Sequence, residues 1–286
     1  MLINFDEKKH RYSHSRTNET YISVTQLLER YFNKFDGKYW SEYKAIQRII
    51  ETKIGEEGFK AWKQSIGGYE KVIATFYEQA NQDNVDLVPE YIADILEEWR
   101  VKNSIACEEG NEFHDRQETK WKSKWVHMFE NKFRKYRSQS SAKYEIKQIE
   151  DGIYTELRLW SEHYQLAGHA DLPIVEKPFI DIYDYKTNKK LEFDNYRHPT
   201  KGHQMLKGSL KHLKDCNGIH YNLQLSLYAK LMEMAYGLEP RHIQIDYALR
   251  DFKGGFTGKM KHIPLVYMEK EVNSILKDRE YELYGK

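Results

Sequence analysis

Apolar and polar residues alternate over residues 3–21, and this pattern predicts a short β-hairpin near the start of the chain. Ser23 and Gln26 follow with the spacing of a capping box, in which each side chain accepts a hydrogen bond from the other residue's backbone amide. This pair predicts a helix that begins after Ser23 and ends near Tyr31.

Helical spacing of apolar residues dominates from about residue 38 to residue 101, and no convincing strand interrupts it. Gly67-Gly68 and Val88-Pro89 are the expected breaks, because glycine and proline both interrupt helices. We therefore predict an all-helical insertion. Two roles for it stay open, namely a wall of a functional site and a purely structural element.

A further helix is predicted over about 104–121, where His114 and Glu118 share one face because they are four residues apart. A second, basic helix follows, and the pattern then becomes strand-like. The later predicted elements are strands over 143–150, 153–160 and 165–175 with a turn at Gly168, a strand from Phe179 to Asp184, a helix over 221–236, a strand over 242–249 and a helix over 269–284.

The composition indicates a folded protein with a substantial hydrophobic core. Of the 286 residues, 40% are hydrophobic and 14% are aromatic, enough for one large domain or a core with an insertion. The sequence has neither an apolar run of the roughly eighteen residues that span a membrane nor a signal-peptide pattern, so we expect a cytoplasmic protein without membrane contact. Cys107 and Cys216 are too few for a disulfide framework.

The net charge of +1 gives no overall sign of nucleic-acid binding, so any DNA contact depends on local clusters. Basic residues concentrate over 120–137, where aromatic residues about four apart are more typical of a core face than of base stacking. A second cluster over 197–214 includes Lys201, Lys207 and Lys211. It predicts a mobile basic loop that is either solvated or in contact with a polyanion.

The strand that ends at Asp184 carries the strongest chemical signal. Asp184 and Lys186 point to one face of a strand because they are two positions apart, while Tyr185 points to the other face. A carboxylate can hold a hard divalent cation, and a nearby ammonium can position water or stabilise phosphoryl charge. Asp171, thirteen residues earlier, is predicted to add a second carboxylate. The simpler alternative is a solvated charge pair at a strand edge.

Five motifs occur in an order that resembles the PD-(D/E)XK nuclease superfamily, in particular its RecB-like exonuclease branch. They are Gly110-x-x-x-His114, Glu156, Gly168-x-x-Asp171, Asp184-x-Lys186 and Gln224-x-x-x-Tyr228, and the match covers about residues 104–249. His10-x-Tyr12 and Ser23-Val24-Thr25 further resemble the opening of phage-encoded and mitochondrial exonucleases of this group.

The resemblance implies an α+β fold whose α/β/α restriction-endonuclease-like core has a mixed sheet flanked by helices. This nuclease core is expected within residues 104–286, and the N-terminal hairpin and helical insertion within residues 1–103.

A catalytic role for each motif residue is also implied by the resemblance. Asp171 and Asp184 are expected to bind Mg²⁺ together with His114 and the backbone carbonyl of Tyr185, and Mn²⁺ is expected to substitute. Lys186 is expected to orient or deprotonate the attacking water.

For the remaining motif residues, a functional role and a purely structural role both stay open. Glu156 binds a second metal or steadies the first, or it is an ordinary exposed strand carboxylate. Gln224 and Tyr228 hold the substrate strand, or they form a polar pair on a helix surface.

The sequence departs from the family pattern in two ways. The proline that often precedes the second-motif aspartate is absent, as in many RecB-like members. The four cysteines that some relatives use for an iron–sulfur cluster are also missing, so we expect no such cluster.

The sequence therefore predicts a Mg²⁺-dependent deoxyribonuclease, most readily an exonuclease of DNA replication, recombination or repair. The expected partner is DNA that is single-stranded or has a free end, with a helicase or recombination protein as a further candidate. The alternatives are a structure-specific endonuclease and an inactive nucleic-acid-binding or assembly protein with a nuclease fold.

Overall fold

The computed structural model describes residues 3–6, 11–128, 137–138, 149–195, 197–198, 202–251 and 254–285, and for 122–128, 137–138 and 197–198 it describes the backbone alone. The described part is a mixed α+β fold, as predicted. Its strands are β1 (Ile3–Asp6), β2 (Arg11–His14), β3 (Thr20–Ser23), β4 (Arg137–Ser138), β5 (Gly152–Thr155), β6 (Leu157–Ser161), β7 (Leu166–Ala170), β8 (Leu172–Glu176), β9 (Phe179–Lys186), β10 (Arg197–His198), β11 (Gly202–His203), β12 (Glu239–Arg250) and β13 (Phe256–Leu265). Its α-helices are α1 (Val24–Leu28), α2 (Gly37–Ser65), α3 (Val72–Gln79), α4 (Gln82–Met128), α5 (Asn217–Tyr236) and α6 (Glu269–Tyr284).

Contacts divide the chain into two compact units, one made of Met1–Asn33 with Gly110–Lys286 and the other of Lys34–Glu109. The expected boundary after residue 103 had grouped the N-terminal strands with the helical segment, whereas in the structure they belong with the later strands. The reason is strand pairing, because β3 runs parallel to β7 with Ile22 opposite Leu166. The predicted hairpin is also a three-stranded meander, since β2 pairs with both β1 and β3.

Two main sheets form the first unit. One has the strand order β1-β2-β3-β7-β6, and the other has the order β13-β12-β9-β8-β5-β4. The second sheet is mixed, because β9 is parallel to β12 but antiparallel to β8. The chain passes from the first sheet to the second at Asp171, the single residue between β7 and β8.

Helix α5 contacts strands of both sheets as well as α1 and α6. Its leucines at 223, 225, 227 and 231 are all buried, and because Leu225 lies on a different side from the other three, the helix needs neighbours on more than one side. Helix α6 is amphipathic by contrast, and it buries Val272, Ile275, Leu276 and Arg279 at helical spacing. The core of the first unit therefore lies around α5.

The capping box at α1 is confirmed. Ser23 Oγ accepts a hydrogen bond from the Gln26 amide at 3.0 Å, and Gln26 Oε1 accepts one from the Ser23 amide at 3.1 Å. The helix ends at Leu28 rather than near Tyr31. Helix α6 begins and ends where its apolar spacing predicted.

Two expectations for the strands were wrong, and one long strand was not predicted. The single strand expected over 153–160 is two strands, with Glu156 between them. The turn expected at Gly168 lies at Asp171, and Gly168 is inside β7. Strand β13, which pairs with β12, was not predicted. Some predictions concern residues that the structure does not describe. These residues are His10, the centre of the basic 120–137 segment, and residues 143–148 of the strand predicted over 143–150.

The second unit, Lys34–Glu109, is described completely, and its regular elements are all helices. Gly67-Gly68 separates α2 from the next helical turn, as predicted. Pro89, however, lies inside α4 and does not end it. Burial of Val88 and Ile95 in the core of this unit offsets the backbone hydrogen bond that proline lacks. No helix in the described parts of either unit is long and apolar enough to cross a lipid bilayer.

Candidate active site

The register between β8 and β9 brings Asp171 and Asp184 together. Leu172 lies opposite Tyr183, so Asp171, one position before Leu172, lies beside the end of β9. Asp171 Oδ2 accepts a hydrogen bond from the Tyr185 amide at 2.8 Å. Two of the carboxylates singled out in the sequence thus share one location.

Strand alternation in β9 places the next side chains as predicted. Lys186 forms an ion pair with Asp184, and both side chains are largely buried, with exposed fractions of 15% and 2%. The Tyr185 side chain lies on the other face, where its hydroxyl accepts a hydrogen bond from Trp121 Nε1 at 2.9 Å. The Tyr185 carbonyl as a metal ligand stays a prediction.

Helix α4 brings His114 to the same place. One ligand atom each from His114, Glu156 and Asp171 lies within 4.8 Å of the others, a spacing that one metal ion can bridge. Nδ1 of His114 is 3.4 Å from Asp171 Oδ2. One interpretation of the sequence was that Glu156 is an ordinary exposed strand carboxylate. The structure contradicts that interpretation.

Glu156 lies in the turn between β5 and β6 with a φ of 50°, in the left-handed region that non-glycine residues rarely adopt. Its amide donates a hydrogen bond to the Asp171 carbonyl at 3.0 Å. Because β5 and β6 belong to different sheets, this turn is also the point where the chain changes sheets. The conformation directs Glu156 toward the carboxylates rather than along a strand.

The surroundings of these carboxyl groups disfavour a full set of negative charges. Burial, together with the charges of Asp171 and Glu118, raises the pKa of Glu156 to about 9. Burial and Asp171 raise the pKa of Asp184 to about 6, although Lys186 opposes this shift. Burial disfavours the Lys186 ammonium, but Asp184 and Asp171 outweigh that effect and raise the pKa of Lys186.

These residues fit a hard divalent cation. Carboxylate oxygens with one histidine nitrogen are a suitable donor set for Mg²⁺ or Mn²⁺. Asp184 Oδ2 is buried and, apart from its ion pair with Lys186, has no hydrogen-bond partner among the described residues. A cation among the carboxylates would relieve the repulsion that, together with the larger effect of burial, raises the pKa values of Glu156 and Asp184.

Three further residues around the site were not assigned a role from the sequence. Glu118 Oε1 accepts a hydrogen bond from Thr155 Oγ1 at 3.4 Å, and its four-residue spacing from His114 was the available signal. Asp115 also contributes charge that raises the pKa of Glu156, and nothing in the sequence distinguishes it. The Tyr221 ring centroid lies 4.7 Å from Lys186 Nζ, and this aromatic residue resembled any core position of a helix.

Gln224 and Tyr228 form a hydrogen bond, in which Gln224 Nε2 donates to the Tyr228 hydroxyl at 2.9 Å. Tyr228 is only 4% exposed, so the pair is not a helix-surface feature. Burial, with a smaller contribution from Asp184, raises the pKa of Tyr228 well above its usual value. Their contact with a substrate strand stays a prediction.

The basic loop is only partly described, and Lys201 lies outside the described residues. Lys207 Nζ donates a hydrogen bond to the Phe32 carbonyl at 2.9 Å, and Lys211 is exposed. The described part of the loop is anchored, because the Met205 carbonyl accepts a hydrogen bond from Asn33 Nδ2 at 2.8 Å and the Lys207 amide donates one to the Tyr31 carbonyl at 2.8 Å. Contact of these lysines with DNA stays a prediction.

Comparison with known proteins gives no independent support for a family. No protein-family model matches the chain, and no curated protein matches it.

Proposed function

We propose that this protein is a Mg²⁺-dependent DNA nuclease, most readily an exonuclease, built on a restriction-endonuclease-like core. The observation that carries the proposal is the convergence of His114, Glu156 and Asp171 within 4.8 Å, beside the buried Asp184–Lys186 ion pair. The motifs that resemble the RecB-like branch are far apart in the sequence. Their residues nevertheless meet at one location.

Each side chain of this cluster has a chemical task in phosphodiester hydrolysis. Asp171, Asp184, Glu156 and His114 are the residues that would hold the ion. Bound Mg²⁺ supplies a Lewis acid for the phosphate and lowers the pKa of a coordinated water. Lys186 carries a positive charge at the same face, where it can orient the attacking water and stabilise charge that develops on the phosphate.

A polyanionic substrate accounts for two further features. Several carboxyl groups line the site, and a cation among them would favour the approach of a phosphate. The basic segments at 120–137 and 197–214 then offer phosphate contacts in a chain whose net charge is only +1. DNA, rather than a small phosphodiester, is the substrate class that the motif resemblance favours.

The test is cleavage of end-labelled linear DNA and closed-circular DNA, each single-stranded and double-stranded, in Mg²⁺ or in EDTA. We expect metal-dependent loss of linear DNA with circular DNA intact. Nicking or opening of circles would identify an endonuclease instead. Binding without cleavage in Mg²⁺ and in Mn²⁺ would overturn the nuclease proposal in favour of an inactive nucleic-acid-binding protein.

Lys186→Ala and Asp184→Asn are the variants that test the site. Each is expected to lose at least about a hundredfold in rate while remaining folded by circular dichroism. Lys230→Ala is a matched lysine control, because Lys230 is also largely buried in an ion pair, which it forms with Glu233 and not with the carboxylates of the site. Full activity of either site variant would refute the assignment.

A further inference from the structure

Among the described residues, the Lys186 ammonium contacts one partner on each of two elements. On β9 it forms the ion pair with Asp184, and from α5 the Tyr221 ring approaches it, with 4.7 Å between Nζ and the ring centroid. That distance is within the range of a cation–π interaction, which is attractive because the face of an aromatic ring carries partial negative charge. Lys186 is thus held between a carboxylate and a neutral ring.

The two partners, Asp184 and the Tyr221 ring, differ in their ability to coordinate a metal ion. Asp184 is also a candidate metal ligand, so a divalent cation and the Lys186 ammonium compete for one carboxylate and repel each other. The Tyr221 ring is not a ligand for a hard cation such as Mg²⁺, because such ions prefer oxygen donors. The attraction between the ring and the ammonium would therefore persist when Asp184 coordinates a metal ion.

Tyr221 is well suited to hold its ring in place. It belongs to α5, the helix around which the core of the first unit is built, and its neighbours Asn222 and Leu223 are buried. Burial raises the pKa of the Tyr221 hydroxyl, so the ring next to Lys186 is a neutral phenol. The contact is made by the face of the ring, and the hydroxyl is dispensable for it.

We infer that Tyr221 is a positioning residue that keeps the Lys186 ammonium at the reaction site when Asp184 binds a metal ion. This inference rests on the proposed nuclease function and deepens it by adding a residue outside the motifs. The conservative change Tyr221→Phe preserves the ring, whereas Tyr221→Leu removes it and retains an apolar side chain. Tyr236→Leu is the matched control, since it makes the same change on α5 fifteen residues away, about 22 Å along the helix.

The first measurement needs no catalysis. In metal-free protein labelled with ¹³C-lysine, the Lys186 methylene signals next to Nζ are assigned by their absence in Lys186→Ala. We expect an upfield ring-current shift of these signals in wild type, Tyr221→Phe and Tyr236→Leu, and its loss in Tyr221→Leu. Titration with Mg²⁺ is expected to preserve the shift in wild type. Unshifted signals in wild type, or loss of the shift on addition of Mg²⁺, would overturn the inference.

The second measurement separates positioning from folding. At saturating Mg²⁺ we expect kcat of Tyr221→Leu to fall about tenfold with KM within about twofold of wild type, and Tyr221→Phe to stay close to wild type. Unchanged kcat in Tyr221→Leu, or equal losses in the Leu and Phe variants, would overturn the inference while the nuclease proposal stands. A wild type that cleaves no DNA would overturn the nuclease proposal, and the positioning role with it.

Discussion

A β-carbon at position 168 would lie 2.6 Å from Cε1 of Tyr228, far closer than two carbon atoms can approach. Gly168 is inside β7, and Tyr228 is a buried residue of α5. Glycine at this position therefore allows a strand of the first sheet to pack directly against the central helix. The missing side chain serves close packing, not a turn.

Gly168→Ala is expected to destabilise the protein by about 1–3 kcal/mol, because the added methyl group must displace the Tyr228 ring or separate β7 from α5. Urea unfolding followed by circular dichroism measures the change. Gly37→Ala in α2 is the control, since its β-carbon would meet nothing closer than 3.9 Å, and it is expected to be neutral or slightly stabilising. An unfolding midpoint of Gly168→Ala equal to wild type would contradict the packing argument.

Metal affinity is expected to rise with pH between about 6 and 9. The pKa of Asp184 is raised to about 6 and that of Glu156 to about 9, so protons must leave these carboxyl groups before a cation can bind. Calorimetric titration with Mg²⁺ in buffers of different ionisation enthalpy measures both affinity and proton release. Glu156→Gln should release fewer protons than wild type at pH 7. Binding that is independent of pH and releases no protons would contradict this prediction.

In the absence of metal, the stability of the protein is expected to fall as the pH rises, because of Glu156. This pH dependence is opposite in direction to that of metal affinity. The folded-state pKa of Glu156 is above its usual value of 4.5, so between about pH 4.5 and 9 the folded protein binds more protons than the unfolded chain. This contribution to the free energy of unfolding therefore declines as the pH rises through that range. In EDTA, the Tm of wild type should fall more steeply from pH 5 to pH 9 than that of Glu156→Gln.

The control for this measurement is Glu90→Gln, which changes an exposed carboxylate of the second unit. Its Tm should follow the wild-type pH profile. If Glu156→Gln follows the same profile as well, Glu156 is not the half-buried proton-binding group that its raised pKa indicates.

The folded protein is expected to lose stability at acidic pH, in part because of His220. Its ring stacks on Phe32 with centroids 3.5 Å apart, and burial lowers its pKa, although the hydrogen bond with Asp215 opposes the shift. A lowered pKa means that the unfolded chain binds the proton more readily, so this residue's contribution to stability is lost as the pH falls below about 6.5. His220→Phe should lose less stability between pH 7 and pH 5 than wild type, as measured by urea unfolding at each pH. Identical losses would exclude His220 as a source of the acid sensitivity.

Local patterns in the sequence predicted those features that local physics determines. Strand periodicity placed Asp184 and Lys186 on one face of β9 and Tyr185 on the other, because alternation needs no knowledge of the rest of the fold. The capping box at Ser23 succeeded for the same reason. The all-helical segment and the bounds of α6 also followed from residue spacing alone.

Features that depend on distant partners were not predictable in this way. Gly168 was taken for a turn residue because the Tyr228 ring that requires it lies sixty positions later in the chain. The split at Glu156 was missed because β5 and β6 are similar apolar segments that join different sheets. Nothing in the sequence indicated the role of Tyr221, since an aromatic residue on a helix fits the same sequence pattern whether its side chain packs in the core or against a lysine.

The parallel pairing of Ile22 with Leu166 joins residues 144 positions apart and has a consequence for synthesis on the ribosome. Strand β3 leaves the ribosome long before β7 exists, and at ordinary rates of translation the interval is on the order of ten seconds. During that time the helical segment Lys34–Glu109 can already collapse, because all the described residues of its core lie within the segment itself. The N-terminal meander meanwhile presents an unpaired strand edge, which is a site for aggregation or chaperone binding. Nascent chains arrested before residue 166 should therefore be the form of this protein that is most dependent on chaperones.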